Sequence, residues 1–336
     1  MKKAHVGILP LILSILLCAQ AVLAAPYGMF RIVHGGFAPE FPPLDFTAAK
    51  PQLVRYYGGP VISHARVYAV FWGPGVASRT RAKIGPFYAN ILNSGYLDWL
   101  SEYNTSVMAV DGRSGTGQTI GRGSYAGATA IAPENKSKTL TDGMIRKELS
   151  AQISAGHLPP ADADTLYMIY FPADVSVTLP DGSLSCQDFE GYHEGFVSKS
   201  GAPVYYGVFP DCGTGFDDLD VTSSHETLEA ITDPFPTVGT RPAYPQAWNS
   251  AAGDEIADLC DGVNASYVTG AAGLVSDVEP GWSDLANACN MGPWTTAGAA
   301  AAPSPPPIVS VFKPKPAPIM AALAGAKSAA VLWDGL

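Results

Sequence analysis

One short acidic segment, residues 223–234, holds the side chains with the clearest capacity for chemistry. His225 and Glu229 are four residues apart, a spacing that places both side chains on one face of an α-helix. A neutral imidazole and a carboxylate arranged in this way can hold one metal ion. Glu226 directly follows His225, the position that carries the general base in zinc hydrolases of the His-Glu-x-x-His type. The segment therefore predicts a zinc site in which Glu229 replaces the second histidine.

A third metal ligand is expected from the acidic segment 253–262, which contains Glu255 and Asp258. These residues are three apart, so they share a face if the segment is helical. Either Glu255 or Asp258 can bind the metal while the other orients His225 through its free ring nitrogen. We favour Glu255 as the ligand and Asp258 as its support. Calcium is an alternative to zinc, because clustered carboxylates also suit calcium.

His193 is a further candidate catalytic residue, in a loop that follows Cys186 closely. A disulfide at Cys186 would hold this loop in place, so that His193 could act as an acid or stabilise an oxyanion. A loop histidine that is only hydrogen-bonded is the alternative.

The acidic segments also have interpretations that need no metal. Ser223 and Glu226 are spaced as a capping box, which would make 223–234 an exposed acidic helix. Asp254, Asp258 and Asp261 could form a solvated acidic turn.

The start of the chain predicts export. Two lysines after Met1 precede an apolar run from Val6 to about Leu17, and small residues follow up to Ala24, as in a secretory signal peptide. The apolar run is too short for a membrane span. A lipid anchor at Cys18 is disfavoured, because Leu17 stands where such anchors need a small residue. We expect a secreted, extracellular or periplasmic protein.

Four cysteines remain beyond the signal peptide. An even number in an oxidising compartment predicts two disulfides, and four cysteines allow three pairings. We favour Cys186 with Cys212 and Cys260 with Cys289. A thiolate metal site is disfavoured, because the cysteines lack the close spacing of such sites.

Composition limits the partners. The net charge is −10, which excludes nucleic acid and anionic membrane surfaces as favourable partners. The chain is 47% hydrophobic and 15% charged, so it can bury a sizeable core. A peptide or cell-wall substrate outside the cell is expected, and the oligomeric state is not predicted.

The elements that must position these residues follow from periodicity and composition. Buried strands are predicted at 66–72, 165–171 and 204–209, and helices at 80–93, 141–155 and 221–232. A helical turn is predicted at 96–102, and Gly, Thr and Ser predict β-hairpins over 106–132. Alternating strands and helices indicate the α/β (α+β) class. The predicted organisation is a signal peptide (1–24), a Pro-rich N-terminal arm (25–60), one domain (61–295) and an Ala/Pro-rich disordered tail (296–336).

Several blocks resemble a known family. Residues 56–60, 67–72, 191–193, 224–229 and 255–260 are similar to the phosphate-induced, EXORDIUM-like family of secreted proteins and its bacterial relatives. The resemblance implies an extracellular protein associated with cell-wall growth responses. It also implies importance for His225, Glu226, Glu229, Glu255 and Asp258, but it supplies no reaction.

Together these observations predict a zincin-like domain with a mixed sheet, an active-site helix and a disulfide-tied C-terminal lobe. The predicted function is a secreted zinc metallopeptidase that uses Glu226 as base. The alternatives are a non-catalytic, cell-wall-associated protein that keeps a zincin-like fold, with or without a structural ion, and a calcium-stabilised binding protein.

Overall fold

A computed structural model describes residues 29–30, 54–236 and 241–296 of the chain. The strands in this part of the chain are β1 (Met29–Phe30), β2 (Arg55–Tyr56), β3 (Arg66–Trp72), β4 (Ser124–Ile131), β5 (Thr139–Thr141), β6 (Thr165–Tyr170), β7 (Ser176–Thr178), β8 (Gly191–Val197), β9 (Pro203–Phe209), β10 (Trp248–Asn249), β11 (Ser266–Thr269), β12 (Val275–Val278), β13 (Gly281–Ser283), β14 (Ala288–Asn290) and β15 (Trp294–Thr295). The α-helices are α1 (Ser78–Ile91), α2 (Gly95–Asp98), α3 (Asp142–Ser154) and α4 (Phe216–Thr232), and short 3-10 helices cover Trp99–Tyr103, Asp258–Cys260 and Ala271–Gly273. The predicted signal peptide, most of the predicted N-terminal arm and residues 297–336 of the predicted tail lie outside the described residues.

Six strands form the central sheet, in the order β1-β8-β9-β6-β3-β4. β9, β6, β3 and β4 run parallel to one another, whereas β8 is antiparallel to β9 and β1 is antiparallel to β8. The central strand β6 is buried at every position, as expected for a parallel strand covered on both sides. This mixture of helices and strands confirms the predicted α+β class.

Alternate residues along each strand point to opposite faces of the central sheet. Helices cover both of these faces. Leu166 and Met168 of β6 belong to an apolar cluster that also contains residues of α1 and α4. Tyr167 and Ile169 belong to a second cluster, which contains residues of α3. We call these two sides the α4 face and the α3 face of the sheet.

Most predicted elements are present near their expected positions. The predicted strands correspond to β3, β6 and β9, and the predicted helices correspond to α1, α3 and α4. The helical turn predicted at 96–102 is formed by the short α2 and the 3-10 helix that follows it. α4 begins at Phe216, before the predicted residue 221.

Two predictions about irregular segments need correction. Within 106–132, Met108 and Ser114 form an antiparallel bridge, but 124–131 is the single strand β4, parallel to β3, and not part of a hairpin. The segment around His193 is not a loop, because Gly191–Val197 is strand β8. Both strands contain Gly residues, which are more typical of turns.

Two disulfides, Cys186–Cys212 and Cys260–Cys289, confirm the predicted pairing. The first links the segment before β8 to the segment after β9, and the second links the 3-10 helix at 258–260 to β14. Disulfides of this kind are compatible with an extracellular protein. Within the described ranges, no helix is both long and apolar enough to cross a membrane.

Candidate metal centre

Helix α4 supplies His225, Glu226 and Glu229, and it is buried along most of its length. Hydroxyl side chains inside this helix bond to its own backbone. Ser223 Oγ, for example, donates to the Leu219 carbonyl at 2.6 Å, which satisfies a polar group without solvent. Ser223 therefore lies within the helix, and the interpretation as an exposed helix with a capping box is wrong.

His225, Glu229 and Asp258 bring three potential ligand atoms together. His225 Nε2 lies 3.2 Å from Glu229 Oε1 and 3.6 Å from Asp258 Oδ1. Ligands placed tetrahedrally at the usual zinc distance are about 3.3–3.6 Å apart. The three residues form one of the clusters whose potential ligand atoms all lie within 4.8 Å of one another. The separation of these atoms suits a single ion.

Asp258, rather than Glu255, stands beside His225. The Asp258 N–H donates to Glu229 Oε1 at 3.1 Å, and the Glu255 N–H donates to Asp258 Oδ2 at 2.9 Å. The second bond occupies Oδ2 and leaves Oδ1 toward His225. The sequence favoured Glu255 as the ligand and Asp258 as its support. The structure instead groups Asp258 with His225 and Glu229, and it groups Glu255 with His193 and Glu229.

His193 lies on β8 with its side chain fully buried. Its Nδ1 is 3.1 Å from Glu226 Oε2, and its Nε2 is 3.0 Å from the Asp233 carbonyl oxygen. Because a carbonyl oxygen only accepts, Nε2 carries a hydrogen. Glu229 Oε2 lies 3.8 Å from Nδ1, and Glu255 Oε1 lies 3.6 Å from Nε2. His193 thus connects the other candidate residues, and all six that the sequence proposed form one cluster.

Glu226 lies against β8 at a point that requires glycine. A Cβ added to Gly191 would lie 2.8 Å from Thr222 Cγ2 and 3.3 Å from Glu226 Oε1. A larger residue at 191 would therefore displace the helix or the carboxylate. Glu226 Oε2 contacts His193, whereas Oε1 has no hydrogen-bond partner among the described residues. Oε1 is the oxygen that could accept a proton.

The pKa values of the acids reflect their crowding. Burial, followed by the charge of Glu229, raises the pKa of Glu255 well above its ordinary value. Burial and Glu229 also raise the pKa of Asp258 to about 7. The protein by itself therefore favours the protonated form of these acids, and a bound cation would reverse that preference.

The pKa values of the two histidines are also raised, but for an imidazole a raised pKa favours the charged form. Burial opposes a charge on His225, but Glu229 and Asp258 outweigh burial and raise the pKa of His225 well above its ordinary value. Burial also opposes a charge on His193, but the contact with Glu226 raises its pKa to about 9. The cluster therefore attracts positive charge, either as protons or as metal ions.

Sequence reasoning missed Asp233, which directly follows α4. Its carboxylate accepts from the Ala247 N–H at 2.9 Å and from the Asn249 side-chain amide, and its carbonyl holds His193. The sequence did contain a signal for this residue. Positions 225, 229 and 233 continue the four-residue spacing along one helix face.

Glu279, between β12 and β13, was also missed. It is buried, and its Oε1 has no hydrogen-bond partner within the described ranges. Glu279, Asp261 and His225 form a third cluster with potential ligand atoms within 4.8 Å. Burial raises the pKa of Glu279 to about 7. No spacing in the sequence connects this acid with His225, so only the fold reveals it.

No protein-family model matches the chain, and it has no significant match among curated proteins or solved structures. Fold and site therefore define the class, an α+β protein with a buried cluster of histidines and carboxylates. The resemblance to the EXORDIUM-like family stays a prediction.

Proposed function

We propose that the protein is a metal-dependent hydrolase, with His225, Glu229 and Asp258 as zinc ligands and a peptide bond as its target. The convergence of His225 Nε2, Glu229 Oε1 and Asp258 Oδ1 carries this proposal. Three protein ligands leave a fourth position for water, as in catalytic zinc sites. Zinc bound there supplies a Lewis acid that polarises the scissile carbonyl and lowers the pKa of water.

Glu226 is the proposed general base. Its Oε2 is held by His193 at 3.1 Å, while its Oε1 lacks a hydrogen-bond partner in the described part of the chain. The Asp233 carbonyl in turn fixes the His193 ring at 3.0 Å. This chain of contacts orients the carboxylate, so that Oε1 can take a proton from water and pass it to the leaving group.

The zincin-like arrangement and secretion belong to the same proposal. The arrangement is supported by helix α4, which packs against a mixed sheet whose strand β8 adds His193 to the cluster. Secretion is supported by the signal-peptide pattern at 1–24 and by the two disulfides.

Burial of the cluster favours a second candidate, a non-catalytic extracellular or cell-wall-associated protein in which the same ligands hold a structural ion. His225, Glu226 and Glu229 are 0% exposed, and Glu255 is 1% exposed. A substrate could reach these side chains only if covering segments moved. A structural zinc or calcium ion needs no such access.

Metal analysis of the purified full-length protein separates these candidates first. We expect stoichiometric zinc that is lost in His225→Ala, because one of three ligands is removed. The matched control is His64→Ala, which changes an exposed histidine outside the cluster. Bound calcium without zinc would support the structural-ion candidate, and a protein that binds no metal would contradict both.

Glu226→Gln then tests the hydrolase. Loss of a general base lowers turnover by about 10²–10⁴-fold, and we expect this loss with unchanged metal content, measured as hydrolysis of casein. The control is Glu134→Gln, an exposed acid outside the cluster. Undiminished hydrolysis in Glu226→Gln would exclude Glu226 as the base. A zinc-loaded wild type that cleaves no casein would leave the structural ion as the better account.

A further inference from the structure

We propose a second divalent-cation position, held by His193, Glu229 and Glu255, which shares Glu229 with the first. The cluster would then be a two-metal centre with a bridging carboxylate. This inference rests on the proposed metal at His225, and it adds a ligand role for His193 and Glu255. His193 faces the second oxygen of Glu229, and Glu255 contacts the first position only through its backbone N–H, which donates to Asp258 Oδ2.

The carboxylate of Glu229 has its two oxygens directed to different imidazoles. Oε1 lies 3.2 Å from His225 Nε2, and Oε2 lies 3.8 Å from His193 Nδ1. A carboxylate that presents one oxygen to each of two cations is a natural bridge in sites whose ions are about 3.5–4 Å apart. A single ion at His225 would use Oε1 and leave Oε2 without a role.

Two buried oxygens point into the second position without any donor. Glu229 Oε2 and Glu255 Oε1 have no hydrogen-bond partner among the described residues. A buried carboxylate oxygen that lacks a partner is strongly unfavourable. One potential ligand atom each from Glu229, Glu255 and His193 lies within 4.8 Å of the others. A cation bound there would satisfy both oxygens.

The ring of His193 is arranged as in metal-binding histidines. Its Nε2 donates to the Asp233 carbonyl at 3.0 Å. Histidine ligands commonly donate one ring N–H to a carbonyl in this way, which fixes the ring and directs the other nitrogen to the metal. Nδ1 of His193 is therefore the nitrogen available to a metal ion. It contacts Glu226 Oε2 at 3.1 Å, and an ion bound at Nδ1 would replace that contact.

The charge of the whole cluster also favours two cations. Seven acids surround the two imidazoles: Glu226, Glu229, Asp233, Glu255, Asp258, Asp261 and Glu279. In the described part of the chain, their ion pairs are with His193 and His225, and not with lysine or arginine. A first divalent cation favours the ionised form of these acids, and a second cation would balance the negative charge that then remains in a buried volume.

The test measures how many zinc ions the full-length protein binds. Protein stripped with a chelator is reloaded with zinc chloride, freed of excess metal and examined by elemental analysis. We expect two zinc ions in wild type, one in His193→Ala and one in Glu255→Gln. The control His64→Ala should bind two. Glu255→Gln keeps the shape of the side chain, so it tests the site even if His193→Ala fails to fold.

The outcomes separate this inference from the proposed function. One zinc in wild type, unchanged by His193→Ala or Glu255→Gln but lost in His225→Ala, overturns the second position and leaves the first. No zinc in wild type overturns both. Two zinc ions that become one in Glu279→Gln, but not in Glu255→Gln, would place the second ion at the His225–Asp261–Glu279 cluster and overturn the inference.

Reloading with manganese gives an independent readout. Two Mn²⁺ ions bridged by Glu229 should give an exchange-coupled electron paramagnetic resonance spectrum in wild type. Glu255→Gln should give the spectrum of an isolated ion. An isolated-ion spectrum in wild type at full loading would contradict a shared carboxylate.

Discussion

The two faces of the central sheet bury acids in different ways, although one strand serves both. On the α3 face, Asp142 Oδ1 accepts hydrogen bonds from the hydroxyls of Tyr192 at 3.0 Å and Tyr206 at 2.5 Å. On the α4 face, the adjacent His193 meets the carboxylates of Glu226 and Glu229. Residues 192 and 193 point to opposite sides because β8 alternates.

The difference shows what each buried group requires. Hydroxyls satisfy Asp142 Oδ1, and Asp142 Oδ2 lies 3.8 Å from Arg146 Nη1, so protein groups serve both oxygens. On the α4 face, Glu229 Oε2 and Glu255 Oε1 lack donors in the part of the chain that the structure describes. A buried acid with donors is a structural feature, whereas several acids without donors point to a bound cation.

The comparison is tested most strongly by Glu229→Gln, which should abolish metal binding at both positions. A ligand at about a thousand times its dissociation constant stabilises a protein by about 4 kcal/mol. We therefore expect a chelator to lower the melting temperature of wild type sharply and to leave that of Glu229→Gln unchanged. A wild-type melting temperature that is indifferent to the chelator would contradict a cation in the α4 face.

Tyr206→Phe tests the α3 face, where hydrogen bonds are expected to stabilise the buried acid. It removes one donor from Asp142, and a lost buried hydrogen bond costs about 1–2 kcal/mol. We expect that decrease in the free energy of unfolding, measured with urea, together with unchanged metal content. Tyr267→Phe, at an exposed tyrosine, is the control. Metal loss in Tyr206→Phe would show that the two faces are not independent.

Glu102 combines the two situations. One of its carboxylate oxygens accepts hydrogen bonds, as Asp142 does, and the other lacks a donor among the described residues, as Glu255 Oε1 does. Oε2 accepts from the Ser283 hydroxyl and the Leu285 N–H, both at 3.1 Å, whereas Oε1 has no partner within the described ranges. Burial raises the pKa of Glu102 to about 7. The folded protein thus keeps a proton that the unfolded chain releases near its ordinary pKa. This stabilisation is complete at pH 4 and is lost as the pH rises through 7.

Glu102→Gln should remove that pH dependence. We expect the variant to equal wild type at pH 4 and to exceed it by about 1 kcal/mol at pH 8, a value reduced because the side chain is partly exposed. Thermal unfolding at the two pH values measures the difference. An equal difference at both values would show that the proton on Glu102 does not contribute.

Local patterns were enough to predict much of the site. The four-residue spacing predicted that His225 and Glu229 share a face of α4, and the even cysteine count led to the correct disulfides. Strand β8 was missed although its neighbour in a local hairpin, β9, was predicted, because Gly191 and Gly195 are more typical of turns than of strands. The grouping of Asp258, rather than Glu255, with His225 and Glu229 depends on a turn in which the Glu255 N–H donates to Asp258, and spacing alone does not encode that turn.

The two disulfides have a consequence for how the cluster assembles. Cys186 and Cys212 are 26 residues apart and enclose His193, while Cys260 and Cys289 are 29 apart and enclose Glu279. By chain entropy, each closure disfavours the unfolded chain by about 3–4 kcal/mol. The crosslinks thus reduce the disorder that must be overcome to gather acids that repel one another. Where thiols stay reduced that help is absent, so the redox state of the surroundings affects how readily the proposed metal centre forms.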